Sequence, residues 1–217
     1  MLRLPAVALV GALALAGCAQ TSPTGSAVPT SSAGAILVAR GHGWTQAGID
    51  GPIPGPGSCH MRAAANGAPL PDPACTPGAL DQTVADSNIG TTICRKGGYT
   101  GSVRPPDTLS EPVKRKLLAA YGIPPDQIAE FELDHLVPLN AGGASDVRNL
   151  WPEPNTFRQF RPSSSIHNDK DAVETYTFHA VCAGKVRLSA VRIAMARDWT
   201  TAVEALGLPP IPADYQG

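Results

Sequence analysis

The chain has 217 residues, enough for one ordinary domain with extensions and a real hydrophobic core. Its formal charge of −1 at pH 7 excludes a protein that grips nucleic acid tightly by charge alone, so any contact with a polynucleotide is expected to be local, weak or transient. Glycine and proline, 22 of each, require long stretches of loop or linker.

Arg3 precedes the apolar run Leu4 to Ala16, which is too short to span a bilayer comfortably. The run closes on small residues, Leu15-Ala16-Gly17-Cys18, the pattern of a secretory segment rather than of a membrane helix. The ending resembles the bacterial lipoprotein signal, which implies that Cys18 becomes the lipidated first residue and that the membrane is a partner through this anchor alone. An ordinary signal peptide cut nearby is the alternative, and on either reading Met1–Gly17 lies outside the fold. Ala19 to Gly34 is an uncharged run of small and polar residues that reads as a flexible tether. The expected organisation is a signal peptide over 1–17, a tether over 18–34, a loop-rich extension over 35–106, a core with flanking helices over 107–208 and a tail over 209–217. Setting Cys18 aside leaves Cys59, Cys75, Cys94 and Cys182, an even set that in an exported protein reads as two disulfides. Of the three pairings, Cys59–Cys75 as a local clip with Cys94–Cys182 as a long staple is preferred. No Cys-x-x-Cys occurs, which argues against a zinc knuckle or a thioredoxin-like site.

Ala35–Arg40 is a short apolar run with strand character, and Gly41–Gly57 reads as loop. His42 and His60 have no partner at ligand spacing and are expected to be exposed. Leu80, Val84, Ile89 and Ile93 suggest a short helix within Ala79–Cys94, followed by an extended segment from Gly97 to Pro106. Thr108-Leu109-Ser110-Glu111 has the form of a capping box opening a helix with Val113, Leu117, Leu118 and Tyr121 on its apolar side. Lys114, Arg115 and Lys116 read as its solvated face, and Gly122 with Pro124-Pro125 stops it. Phe131–Leu139 reads as a strand and Gly142-Gly143 as a hairpin turn. Asp169–Ala183 is predicted helical, with Val173, Tyr176, Ala180 and Val181 inward and Gly184 closing it. A last helix runs from Leu188-Ser189, with Ser189 as candidate cap, to about Leu206, and Trp199 and Val203 belong to its core side. His179 falls in mid-helix, where a packed or solvated role is expected.

The chemistry concentrates between Glu132 and Asn149. Asp134-His135 ends a short apolar run, Pro138-Leu139 and Gly142-Gly143 follow, and Asn149-Leu150 comes fourteen residues after the histidine. This spacing resembles the HNH endonucleases, members of the ββα-metal or His-Me finger nucleases. The run His167-Asn168-Asp169-Lys170 looks like the final element of the same motif at the start of its helix. The resemblance covers roughly Phe131 to Lys185. Val103-Arg104-Pro105-Pro106 before it, and Val181-Cys182-Ala183-Gly184 and Asp198-Trp199 after it, look like exported bacterial members.

The resemblance implies an α+β protein with a ββα-metal core, flanking helices and disulfide-stapled N-terminal loops. It makes Asp134 a metal ligand, His135 the general base that takes a proton from water, and Asn149 the residue that fixes the loop and orients the histidine. A second ligand is expected from His167 or Asn168, although the segment between Asn149 and Asn168 is longer than in minimal members. A hard oxygen and nitrogen site suits Mg²⁺ or Mn²⁺, with Zn²⁺ compatible if His167 binds. Arg148 and Lys170 are weak candidates for phosphate contacts, because the acids Glu153, Asp169, Asp171 and Glu174 suggest an ordinary mixed surface. The implied activity is metal-dependent hydrolysis of DNA, or of RNA, with low sequence specificity. The rivals are a non-catalytic envelope module built on the same fold and a hydrolase of some other phosphodiester. Convergence of Asp134, His135 and one of His167 or Asn168 at ligation distance is what separates the nuclease from the non-catalytic module.

Overall fold

A computed structural model of the protein describes Met1, Leu2 and residues 35–217. The rest of the expected signal peptide, Cys18 and the tether lie outside the described residues. Among the described residues no helix is long and apolar enough to cross a membrane. The fold is mixed α+β, with short helices and small two-stranded sheets.

The first half of the described chain contains β1 (Leu37–Ala39), β2 (Trp44–Thr45), β3 (Gly48–Ile49), β4 (Arg62–Ala63), β5 (Pro69–Leu70) and β6 (Ala79–Asp81). β1 pairs in parallel with β6, while β2–β3 and β4–β5 are small antiparallel hairpins. Then come α1 (Thr100–Val103), α2 (Asp107–Ala120), β7 (Phe131–His135), β8 (Leu150–Pro154), α3 (Asp169–Cys182), α4 (Leu188–Asp198) and α5 (Ala202–Ala205).

β7 and β8 form an antiparallel ribbon with Glu132 opposite Glu153, Asp134 opposite Trp151 and His135 opposite Leu150. Alternation along a strand gives this ribbon two unlike faces. Leu133 and Leu150 pack with Val113 and Leu117 of α2 and with Val147. Glu132, Asp134, Trp151 and Glu153 share the opposite face, and Lys170 of α3 reaches Asp134 there. The main core gathers Val137, Leu139, Val173, Val181, Leu188, Val191, Met195 and Trp199 together with Leu70, Val84, Ile93, Tyr99 and Val103. Residues on both sides of position 106 therefore build one core.

The N-terminal extension also holds the loop between β7 and β8. Ser145 N–H donates to the His42 carbonyl at 2.7 Å, Val147 N–H to Asp50 at 2.8 Å and Ala144 N–H to Ala79 at 2.9 Å. Two disulfides are formed, Cys59–Cys75 and Cys94–Cys182, with Cα–Cα distances of 6.0 and 5.5 Å. This is the preferred pairing, and it is consistent with an extracellular, oxidising location.

Several local expectations are corrected. Ala79–Cys94 is not a helix: after β6 the chain turns repeatedly. The Asp81 carboxylate accepts from Thr83 N–H at 2.8 Å, and the Asn88 side chain bridges Ala85 N–H and the Thr83 carbonyl, so side chains compete for the backbone groups a helix needs. The segment taken as extended holds the single helical turn α1, tied by Ser102 Oγ donating to the Tyr99 carbonyl at 2.6 Å. α2 begins at Asp107 after Pro106, without a side-chain cap from Thr108. The capping box lies instead at α3, where Asn168 and Asp171 exchange side-chain and backbone bonds. β7 stops at His135 rather than Leu139, because the Asn149 side chain takes the N–H and carbonyl of Val137 that a longer ladder would use. α4 starts at Leu188 without a cap from Ser189, and a short 3₁₀ turn over Trp199–Thr201 separates it from α5.

His42, expected to be a solvated loop residue, is half-buried and its Nδ1 bonds to Asp81. Tyr99 OH also donates to Asp81 Oδ2, at 3.2 Å, so one buried carboxylate joins the first loop, β6 and α1. Burial raises the Asp81 pKa, but hydrogen bonds from Thr83 and the contact with His42 outweigh it and leave the carboxyl below its ordinary 3.8. A lowered folded pKa adds stability that is present above 3.8 and lost as pH falls through the folded value. Asp81→Ala should therefore cost about 3 kcal/mol near neutral pH, and the gap to wild type should narrow below pH 4 in urea unfolding curves. A gap that stays constant down to pH 2 would show that Asp81 acts through packing rather than charge.

The two disulfides close loops of different size, with sequence separations of 16 and 88. Loop entropy gives roughly 3 kcal/mol for the shorter and about 4–5 kcal/mol for the longer. Urea titration of Cys59→Ala/Cys75→Ala and Cys94→Ala/Cys182→Ala should rank the second pair as the more damaging, and the reverse ranking would rule out loop entropy as the main term.

Candidate functional site

The site is built where β7 ends. Leu136 N–H still bonds to the Asn149 carbonyl at 2.8 Å, and then the Asn149 side chain replaces the ladder. Its Oδ1 accepts from Val137 N–H, and its Nδ2 donates to the carbonyls of Val137 and Ala144, each at 2.9 Å. A fully buried carboxamide with all these bonds satisfied is a rigid clasp across the loop. Gly143 is required beneath it, because a Cβ there would run into the Val137 carbonyl.

The clasp fixes His135, whose Nε2 lies 2.9 Å from Ser145 Oγ. Only 5% of His135 is exposed. Burial, against the pull of Asp134 and aided by the charges of Arg104 and Lys170, pushes its pKa down to about 3. The imidazole is therefore neutral at physiological pH.

Asp134 sits one residue back on the other face of β7. Its Oδ2 accepts from Lys170 Nζ at 2.6 Å and from Trp151 Nε1 at 3.1 Å. Lys170 is 1% exposed, and it also donates to the His135 carbonyl at 2.9 Å and to Glu174 Oε1. Glu153 Oε2 lies 4.0 Å away and has no hydrogen-bond partner. Burial opposes the ammonium charge, but Asp134, Glu174 and Glu153 hold the Lys170 pKa well above its ordinary value. Burial also works against the Asp134 carboxylate, yet the charge of Lys170 beside it keeps it below its ordinary range. Burial and the Asp134 charge raise the Glu153 pKa well above the ordinary carboxylate range. Glu174 is pushed up to about 8 by burial, against Lys170, and by the charges of Asp134 and Asp171.

A cavity of about 320 Å³ opens beside β7, with Glu132, Asp134, His135, His167, Asp171 and Glu174 among its lining and Arg104 at its border with a smaller one. Asp134, His135 and His167 thus face a common space. Asn168 does not point there as a free ligand: its Oδ1 caps Asp171 N–H at 3.0 Å and its Nδ2 donates to Glu132. The His167 side chain is 68% exposed, with Nδ1 3.9 Å from Asp171. Among the described residues, no three His, Cys, Asp or Glu side chains are gathered tightly enough to hold a metal ion. The expected convergence at ligation distance is therefore not found.

The two phosphate-contact candidates are otherwise engaged. Arg148 makes a two-pronged pair with buried Asp146, at 2.7 and 2.6 Å, and Lys170 points inward. The acids read as mixed surface are partly interior, Glu153 at 2% and Asp169 at 6% exposure. Only fragments of the cluster have a local signature, Glu132 and Asp134 alternating on one strand face and Lys170 and Glu174 one helical turn apart, and Glu153 and Asp169 have none.

Compared with known proteins, the chain matches no family model, no curated protein and no solved structure.

Removing one member of a buried ionic cluster leaves the others uncompensated. Lys170→Met should destabilise the protein by about 3–5 kcal/mol. Adding Asp134→Asn should recover part of that loss in urea titration, whereas additive losses would show that the two side chains are not coupled.

Proposed function

We propose that the protein is an HNH-type, metal-dependent nuclease that hydrolyses phosphodiester bonds in DNA, or in RNA, with His135 as the general base. The observation that carries this reading is a buried His135, bonded to Ser145 in the loop that Asn149 clasps, beside a cavity lined in part by Glu132, Asp134, Asp171 and Glu174. In the tautomer in which Nε2–H donates to Ser145 Oγ, Nδ1 is left with its lone pair to take a proton from water.

The donor set in the cavity fits a hard cation. Asp134 from β7 and Glu174 from α3 would hold it through their carboxyl oxygens, with Glu132 and Asp171 beside them. Mg²⁺ is commonly held by one or two carboxylates, with water and substrate phosphate completing its shell, so a preformed cluster of three protein ligands is not required. Mn²⁺ suits the same oxygens, and Zn²⁺ is less well matched because His167 stands in solvent. Such a cation would neutralise the phosphate and stabilise the leaving oxygen. Lys170 and Trp151 orient Asp134, and Lys170 also ties the His135 carbonyl to α3. In this reading the chain is exported and held at the membrane by a lipid on Cys18.

One observation favours a second reading. Lys170 already bridges Asp134 and Glu174, and no three candidate ligands meet among the described residues. A non-catalytic envelope module could keep this arrangement for shape alone.

The deciding experiment incubates the full chain, disulfides formed, with plasmid DNA and single-stranded RNA in Mg²⁺, Mn²⁺ or Zn²⁺. Cleavage should be abolished by EDTA and should fall by about a hundredfold or more in His135→Ala. No cleavage of either polymer with any metal would sink the nuclease reading in favour of the non-catalytic module. Metal binding without cleavage would point to another phosphodiester.

A further inference from the structure

Two cavities meet at His135. The larger is the carboxylate-lined space already described, and the smaller, about 150 Å³, lies between β7 and the first turns of α2. They share Arg104, Leu133 and His135 as lining residues, so both adjoin the histidine. Arg104 stands on the divide, and Lys114 lines the smaller cavity.

These two cations differ from the two basic residues that the motif itself offers, Arg148 and Lys170. Arg148 is paired with Asp146, and Lys170 is buried among carboxylates. By contrast, among the described residues neither Arg104 nor Lys114 has a carboxylate within 4.0 Å or a side-chain hydrogen bond. Arg104 is exposed, yet its backbone is held firmly: Val103 and Pro105 on either side are buried, and Trp44 Nε1 donates to the Val103 carbonyl at 2.7 Å. It lines both cavities together with His135, which places it beside the base.

An acidic cavity repels a phosphodiester unless a cation meets the strand beside it. We propose that Arg104 and Lys114 form a phosphate-binding subsite next to the cleavage position, which holds the neighbouring phosphate of a nucleic-acid strand laid across His135. This rests on the nuclease reading and deepens it: the substrate is a polynucleotide strand carrying a flanking phosphate, not an isolated phosphodiester. Asp107 and Glu111 line the same small cavity, so the grip is modest and sensitive to salt.

The test measures binding of a short fluorescein-labelled single-stranded DNA to the full chain by anisotropy, over a series of salt concentrations and with Ca²⁺ in place of Mg²⁺. Cleavage of the same strand is followed separately in Mg²⁺. Arg104→Ala and Lys114→Ala should each weaken binding by about threefold to tenfold and lower the slope of log affinity against log salt by about 0.7 for each lost phosphate contact. Arg104→Lys should recover part of the affinity. Lys116→Ala, an exposed change elsewhere on α2, should bind and cleave as wild type does. Wild-type cleavage with unchanged affinity and salt slope in both alanine variants would overturn the subsite while leaving the nuclease reading intact. Binding that depends on both cations, from a protein that cuts nothing, would keep the subsite and overturn the catalytic reading. Absence of binding in wild type would overturn the subsite.

Discussion

The ammonium of Lys170 is a full charge taken almost completely out of water, and it is tolerated only because carboxylates surround it. Its three hydrogen bonds reach Asp134, the His135 carbonyl and Glu174. One side chain therefore fixes the angle between the end of β7 and the first turns of α3. A purely apolar contact there would allow sliding, whereas hydrogen-bonded charges allow very few alternative positions. The site inherits that restriction, since Asp134 and Glu174 face the same cavity from two elements held by one residue.

Asn149 supplies the complementary restraint on the loop side. Its carboxamide imitates a peptide group and terminates the ladder one residue after His135. Ending the ladder there lets the chain turn out of the ribbon directly after the histidine, and an apolar residue at 149 would take these partners away from the Val137 N–H and carbonyl. Beneath the loop, His42, Asp50 and Ala79 of β6 accept three of its backbone N–H groups, those of Ser145, Val147 and Ala144. The loop-rich first half of the described chain is therefore part of the scaffold of the site, not an appendage to it.

Much of this architecture was legible in the sequence, and the exceptions follow a pattern. Helical spacing located α2 and α3 because their apolar residues face a core across several turns. Cysteine parity located both disulfides. The stretch Ala79–Cys94 misled because its apolar spacing suits a helix while Asp81, Thr83 and Asn88 draw the backbone into turns. His42 looked unpartnered because its partner, Asp81, is 39 residues away, and no local rule connects them. The same limit hid the ionic cluster. Lys170 and Glu153 look like surface residues when read singly, and only the packing of a helix against one face of a ribbon brings them together. The Asp134-His135 pair stood out by its motif, whereas Arg104 entered only as part of the flanking run Val103-Arg104-Pro105-Pro106.

The two disulfides also impose an order on assembly. A chain emerges from its point of synthesis N-terminus first. Cys59 and Cys75 are then both presented before Cys94, so the short clip can close when, Cys18 aside, no other thiol competes for it. Cys94 must wait for Cys182, at the far end of α3. Closing that second bridge late means that α3 is stapled to the N-terminal half only after nearly the whole chain is available. The sequential spacing of the cysteines thus makes one bridge local and leaves the other dependent on both halves of the chain.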